Sequence, residues 1–392
     1  MTNSTSKDEG GCELLTLPPE VLILIGSFLD IKSVLNLSSA SVAWRNLLYD
    51  EHLLWKALYH RHWLSSCKWR DWRSGETCES WMESFKQRTE IENRWLHCKP
   101  NVVTLHGHEE EVYCLQFDED RIVSGSYDKT IRVWDLDKFR EGKKPTTISK
   151  LVGHREFVGT LRIDSKNVVS GSADNTMRVW DLETEKCTDV IEGHVDEVVC
   201  LRFSEQYIVS GSKDNTIKVW DRRTKQCINT LEGHTQEVCG LHFDAANYRL
   251  FSGSWDHTIK LVGPQEGQTH GLWTLQYENE RDILISGSRD TTVKVWNMKN
   301  FTCEQTLTGH TGRVLCLQFE GNKLVTGAGD FLIKVWNLKT NQCVSTLDYH
   351  TSRVWCLQFD STKIISGSND RTIRIHDFSL PEEDPEEEAI VC

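Results

Sequence analysis

One phrase recurs seven times along this chain and limits what it can fold into. Ser-Gly-Ser-x-Asp, or a close variant, ends at Asp128, Asp174, Asp214, Asp256, Asp290, Asp330 and Asp370, at intervals of 34 to 46 residues. Ahead of each copy stands Gly-His or its remnant, with His108, His154, His194, His234, Gln268, His310 and His350 in the histidine position. Behind each runs a β-branched stretch closed by Trp134, Trp180, Trp220, Val262, Trp296, Trp336 or His376. Stretches such as 216–220 (Thr-Ile-Lys-Val-Trp) alternate as half-buried strands do. A period of this length marks a repeat architecture, in which each unit buries its face against the next.

The period, the Gly-His opening and the Trp-Asp close resemble the WD-repeat family, whose units are four-stranded propeller blades. The resemblance covers residues 101–379 and implies a mainly β fold, a seven-bladed propeller. Residues 102–105 (Val-Val-Thr-Leu) precede the first Gly-His as 228–231 precede a later one, and the last copy stops at Phe378 with no such strand of its own. The N-terminal strand is therefore expected to complete the last blade and tie the ring shut. Family members link the His, Asp and Trp of each blade through a strand hydroxyl. A His–Ser–Asp set also suggests a hydrolase triad. Seven repetitions argue instead for satisfied buried polar groups, each bond contributing about 1 kcal/mol net, and no residue is assigned a catalytic role. Blade four breaks the pattern: 13 residues separate Trp220 from Gly233, but only 5 separate Val262 from Gly267. The deficit falls on the outermost strand, where an irregular, weakly paired edge is expected.

Composition restricts function further. The net charge is −13, and the terminal run Glu382, Glu383, Asp384, Glu386, Glu387 and Glu388 reads as a solvated, disordered tail over 380–392. The rest is still acidic, which counts against nucleic-acid binding. No run of 18 apolar residues spans a membrane. Met1 to Cys12 carries no basic start and apolar core, so no secretory or mitochondrial signal is expected. Among 14 cysteines there is no Cys-x-x-Cys, while Cys187 and Cys227, Cys303 and Cys343, and Cys316 and Cys356 repeat 40 apart. A thiol repeated once per unit reads as a small buried packing residue, with no metal or disulfide role. No cofactor is implied.

Residues 1–14 read as a disordered N-terminus, and residues 15–60 follow a helical grammar. Leu17-Pro18-Pro19-Glu20 is a helix start. Val21, Leu24, Ile25, Phe28 and Leu29 then recur at helical spacing. Leu35, Trp44, Leu54 and Trp55 continue the apolar series. The order resembles an F-box, a three-helix unit that binds a Skp-type adaptor of a cullin ubiquitin ligase. The resemblance implies adaptor contacts at Leu17, Pro18, Val21, Ile25 and Leu35. Trp44 and Trp55 are better read as core of the small domain. Across a helical linker at 61–100, residues 80–97 predict one helix anchored by Trp81, Phe85, Ile91 and Trp95. Family members use such a segment as a stiff spacer.

In F-box/WD-repeat receptors two positions per blade face the central channel: the residue after the valine of Gly-His-x-x-x-Val, and the x of Ser-Gly-Ser-x-Asp. Here those positions hold Tyr113, Trp273 and Trp355 in the first set and Tyr127, Lys213, Trp255 and Arg289 in the second, with Arg313 and Arg353 just ahead of the first set, on the other side of the blade valine. Arginines match phosphate bidentately, and aromatics with arginines are what binding hot spots favour. The resemblance thus implies a substrate-recognition subunit of a Skp–cullin–F-box ubiquitin ligase. It would bind protein degrons, either phosphorylated or mixed aromatic and acidic, in the cytoplasm or nucleus. A WD-repeat scaffold acting outside a ligase is the alternative.

Overall fold

The computed structural model describes residues 33, 36, 52–59, 81–262, 268–270 and 273–380. Leu17, Pro18, Val21, Ile25, Leu35, Trp44 and the acidic tail lie outside the described residues. Two compact units are present, Met1–Asn93 with Leu380–Cys392, and Arg94–Ser379.

The second unit is a propeller of seven four-stranded antiparallel sheets. Blade one runs outward through Val112–Phe117, Arg121–Ser126, Thr130–Asp135 and Thr147–Val152. Blades two to six repeat this order over 158–191, 198–231, 238–270, 274–307 and 314–347. Blade seven takes three strands from 354–377 and its outermost from Asn101–His106. That strand pairs antiparallel with Thr372–Asp377 from Asn101↔Asp377 to His106↔Thr372. The expected closure of the ring is thus present: the two ends of the repeat array are held by one continuous ladder.

Core clusters form between blades. Leu115, Phe117 and Trp134 of blade one pack with Ile365 and Ile373 of blade seven, and Val123 and Ile131 pack with Val158, Leu161 and Trp180 of blade two. Each sheet therefore buries both faces against its neighbours, which is why its strands read as near-continuous apolar runs.

The repeated polar residues lie inside this packing. In blade two the His154 ring shares 2.8 Å contacts with Asp174 Oδ2 at Nδ1 and Ser170 Oγ at Nε2, and Trp180 Nε1–H donates to the same Oγ at 2.8 Å. One assignment satisfies every group: His Nδ1–H to Asp, Ser O–H to His Nε2, and indole N–H to the Ser oxygen. Blades one, three and six repeat it, with Thr326 as the hydroxyl in blade six. Ser124, Ser170 and Ser210 have 0% exposure, so these hydroxyls cannot meet a substrate and the sets stiffen blades.

Two expectations need correction. The repeating cysteines fall into two classes. Cys114, Cys200, Cys316 and Cys356 on innermost strands are buried, whereas Cys227, Cys303 and Cys343 on outermost strands are exposed and Cys187 is partly so. The outer ones sit opposite the closing tryptophan where the register shifts, as in Trp220↔Cys227. A sheet's last strand has no neighbour to cover its outer side, so periodicity alone did not imply burial. Nor does Gln268 take the histidine position of blade five. Gln268–His270 form the outermost strand of blade four, pairing Lys260↔Gln268 to Thr258↔His270. With eight residues fewer, the chain cannot supply both an outer strand and a Gly-His loop. Pairing the open edge satisfies backbone groups that a loop would leave exposed. Three register pairs against five in blade six leave this edge the weakly paired one that was expected.

In the first unit, Trp55 of the helix His52–Tyr59 is buried against Phe85, with ring centroids 5.3 Å apart, as the core reading of Trp55 required. Tyr59 meets Trp81 edge-on at 5.5 Å. Phe85 and Trp81 belong to the helix Trp81–Leu96, within one residue of its predicted ends. The last residues of this helix belong to the propeller unit. There Trp95 stacks on Phe378 at 4.1 Å, its Nε1–H donates to the Ser361 carbonyl at 3.3 Å, and Arg94 donates to the Ser379 carbonyl. No helix among the described residues is long and apolar enough to cross a membrane.

Candidate functional site

Two local devices bring the predicted reading positions together. The first is a bulge. The innermost strand shifts register between Val112 and Cys114, between Val198 and Cys200, and at the same place in blades two, four, six and seven. The extra residue leaves the alternation, and a bulge of this kind re-aims its side chain. Tyr113 and Trp355 occupy that slot. Trp273 holds the equivalent place in blade five, its N–H bonded to the Gly287 carbonyl at 2.9 Å.

The second device is a turn. Asp128 Oδ1 accepts from the N–H and hydroxyl of Thr130, at 3.0 and 2.6 Å, and Lys129 between them adopts φ 66°. This folds Tyr127 back so that its N–H meets the Glu111 carbonyl at 2.9 Å. The same bond joins Lys213 to Glu197, Trp255 to Glu237, Gly329 to Arg313 and Asn369 to Arg353. Each blade so built holds its two reading positions and the residue before the valine side by side on one face, here called the upper face.

On that face the aromatic residues form one connected belt. Tyr113 lies 4.9 Å from Trp355 and 6.1 Å from Tyr127, centroid to centroid. Trp355 lies 5.8 Å from Trp273, and Trp273 lies 5.2 Å from Trp255. Trp273 and Trp355 come from blades five and seven. They meet across the inner rim of blade six because blade six presents Gly329, with no side chain, and a buried Leu315. Phe157 extends the belt at the other end, stacked on Tyr127 at 5.1 Å and on Tyr113 at 5.2 Å. Sequence reasoning missed Phe157. It stands one residue before a blade valine, as Arg313 and Arg353 do, and that slot was read for charge alone.

Charge is divided across the belt. Arg289, Arg313 and Arg353 of blades five to seven are exposed and make no ion pair among the described residues. The Arg289 guanidinium lies 5.4 Å from the centre of the Trp255 ring, and the indole N–H of Trp255 is buried without an acceptor. Lys213 is not a free cation, because its ammonium is paired with Glu197. Glu197, Asp196 and Glu237 make blades three and four acidic. Burial first, then the neighbouring acids, pushes the Glu237 carboxyl above its ordinary value, with Lys213 opposing. Burial together with Glu111 raises the Tyr113 phenol to about 12, with Arg353 pulling the other way. The face thus offers an aromatic track with uncommitted guanidinium groups on blades five to seven and carboxylates on blades three and four. Such a surface suits an extended peptide with an aromatic or proline anchor and a negative end.

Comparison with known proteins is consistent with this architecture. The WD domain, G-beta repeat model matches at 99–135, 145–181, 185–221, 225–262, 263–297, 301–337 and 341–377. An F-box-like model matches residues 14–61. The chain is 26% identical over 154 residues to the "Probable E3 ubiquitin ligase complex SCF subunit sconB" of Arthroderma otae, covering 32% of this chain and 23% of that protein. It is 41% identical over 61 residues to "F-box/WD repeat-containing protein pof1" of Schizosaccharomyces pombe, 16% of this chain and 10% of that one. It is 33% identical over 129 residues to "F-box/WD repeat-containing protein 7" of Drosophila melanogaster, 30% of this chain and 10% of that one. In each case the matched stretch is less than a quarter of the relative's own length. With seven repeat matches spread along residues 99–377 and an F-box-like match ahead of them, the chain belongs to the WD-repeat family, as a member of the F-box/WD-repeat proteins.

Proposed function

We propose that this chain is a substrate-recognition subunit of an SCF-type E3 ubiquitin ligase, acting as a receptor rather than a catalyst. One observation carries the reading: an F-box-like segment precedes a closed propeller whose upper face bears an aromatic belt and unpaired arginines. The F-box-like segment engages a Skp-type adaptor, and through it a cullin, by way of Leu17, Pro18, Val21, Ile25 and Leu35. Tyr113, Tyr127, Trp255, Trp273 and Trp355 grip the target peptide, while Arg289, Arg313 and Arg353 take its acidic or phosphorylated end. Lys213 contributes only if a ligand displaces Glu197. What such a subunit supplies is proximity, because it raises the local concentration of a target lysine at the enzyme that carries ubiquitin. The names of the fungal relatives as SCF subunits support the assignment.

The test is capture of a purified Skp-type adaptor by the full chain and by its Pro18→Ala/Val21→Asp variant. The expected result is binding by the wild type and its loss, by about 100-fold or more, in the variant, as an aspartate in an apolar interface entails. A folded wild type that captures no adaptor would sink the ligase reading and leave a WD-repeat scaffold.

A further inference from the structure

The innermost strands carry one position at the same register in all seven blades. Gln116, Arg162, Arg202, His242, Gln276, Gln318 and Gln358 stand opposite Val123, Val169, Val209, Phe251, Ile285, Val325 and Ile365. In four blades the glutamine clamps the next blade. The side-chain oxygen of Gln116 accepts from Ile163 N–H at 2.9 Å, and those of Gln276, Gln318 and Gln358 accept from Phe319, Phe359 and Phe117 at 2.7 Å. Gln276, Gln318 and Gln358 also return an amide N–H to the same residue's carbonyl, at 2.9, 3.1 and 3.1 Å. The backbone groups so bound face the free inner edge of the strand, which lines the channel.

Three consecutive blades abandon this clamp. In blades two, three and four the position holds Arg162, Arg202 and His242. Arg162 and Arg202 each turn Nη1 back onto the carbonyl of the preceding leucine at 2.9 Å, which brings both guanidinium groups to the channel edge at one level. Neither meets a carboxylate among the described residues. Burial lowers the Arg162 pKa from its ordinary value, and only the thiols of Cys114 and Cys200 oppose it. The field of Arg162 reaches His242 two blades away. Burial first, with Arg162 adding to it and Asp244 opposing, brings that imidazole down to about 4.

A pair of like charges, set into the protein without a counter-charge and in place of inter-blade hydrogen bonds, costs free energy that something else must offset. Two guanidinium forks and an imidazole on one arc are the donor set of a tetrahedral oxyanion. We propose that Arg162, Arg202 and His242 form a phosphate-binding site in the channel, near the end of the innermost strands remote from the peptide-binding face. The site is separate from the upper arginines and does not depend on the ligase reading. Occupied, it ties blades two, three and four together where the glutamine clamp is missing.

The probe is inorganic phosphate and the protein is the full chain, compared in phosphate and in chloride at equal ionic strength and pH 7.5. Phosphate is expected to raise the melting temperature by a few degrees and to give a saturable calorimetric titration. Arg162→Gln/Arg202→Gln installs the residue used at this position in four other blades, so its fold should persist, and it should lose the phosphate response, with affinity at least about tenfold weaker. Arg289→Ala/Arg313→Ala/Arg353→Ala should keep the response in full. Absence of a response in the wild type, an equal response in the glutamine variant, or loss of the response in the upper-face variant would each overturn the proposal. Should the glutamine variant misfold, the His242 imidazole resonance of the wild type decides: phosphate must raise its pKa, and an unmoved titration refutes the site.

Discussion

Gly193 cannot carry a side chain, and the reason is the tryptophan closing its own blade. A β-carbon there would stand 2.8 Å from Trp220 Cη2, and the backbone adopts φ 148°. The same close approach recurs at 2.7 Å between Gly107 and Trp134, and at 3.0 Å between Gly153 and Trp180. Blade seven has exchanged both partners at once. His376 replaces the tryptophan, and Tyr349 replaces the glycine, with their rings 5.4 Å apart. His376 is fully buried, its Nε2 lies 3.2 Å from Ser366 Oγ, and its Nδ1 has no partner. Restoring the tryptophan alone should overpack the site, so His376→Trp is expected to destabilise by about 1–3 kcal/mol. Adding Tyr349→Gly should recover most of that loss, a coupling that urea unfolding of the four-member cycle measures. Acid sensitivity follows from the same residue. Burial, then the nearby His350 and Arg374, holds the folded His376 pKa at about 3. Below the unfolded value of 6.5 the unfolded chain takes up a proton that the folded chain refuses, so stability falls as pH falls. From pH 6.5 to 4.5 that loss is on the order of 2–3 kcal/mol. Asp256 and Asp330 act later. Burial raises their pKa, but hydrogen bonds from backbone and imidazole groups, joined at Asp256 by the Thr258 hydroxyl, outweigh it and hold both at about 2, so their contribution disappears only as pH drops through 4 and below. Urea midpoints measured against pH should show the upper part of this decline flattened in the His376→Trp/Tyr349→Gly protein. An unchanged slope would mean that His376 is not its source.

At the scale of strands, the chain holds itself shut with the six residues Asn101–His106. Leu105 of that strand is 1% exposed and belongs to the cluster joining blades one and seven, while Thr104 on the opposite side pairs with Arg374. Leu105→Asp places an unpaired carboxylate in this seam and should cost several kcal/mol, whereas Thr104→Asp faces a cation across the ladder and should stay within about 1 kcal/mol. Equal midpoints for the two variants in urea would show that closure is not the weak point of the ring. This closing strand was legible in the sequence because 102–105 (Val-Val-Thr-Leu) match 228–231 (Ile-Asn-Thr-Leu) in character at every position but the second. Blade four was legible only as a deficit. Counting residues located the missing stretch, but which segment the chain would sacrifice is a competition between pairing an edge and building a loop, and composition does not register that competition. The cysteines show the same limit. Period identified equivalent positions but not their depth, since inner and outer strands share one repeat length.

At the scale of the whole molecule, the upper face has a direction that no single blade possesses. The family resemblance, applied through the repeat register, pointed to the aromatic and arginine positions, and bulge and turn are encoded by local phrases. It did not find their connection: Trp273 and Trp355 meet only because the ring brings blades five and seven around a blade that offers glycine at the rim. A peptide lying along Phe157, Tyr127, Tyr113, Trp355, Trp273 and Trp255 therefore passes blades five to seven, which carry Arg289, Arg313 and Arg353, while Glu197 and Glu237 mark blades three and four. Apolar contact with the belt should supply most of the affinity, and the charges should set register and the choice of ligand. Random peptides selected on the full chain should be enriched in an aromatic or proline residue next to acidic or phosphorylated ones. Trp273→Ala/Trp355→Ala should weaken the selected peptide by about 30-fold or more at any ionic strength, as loss of central hot-spot residues does. Arg289→Ala/Arg313→Ala/Arg353→Ala should weaken it by a factor that shrinks as salt is raised, since exposed charges are screened within about 8 Å at physiological ionic strength. Selection of basic peptides would reverse the polarity assigned to the face, and peptides indifferent to the tryptophan pair would remove the belt from recognition altogether.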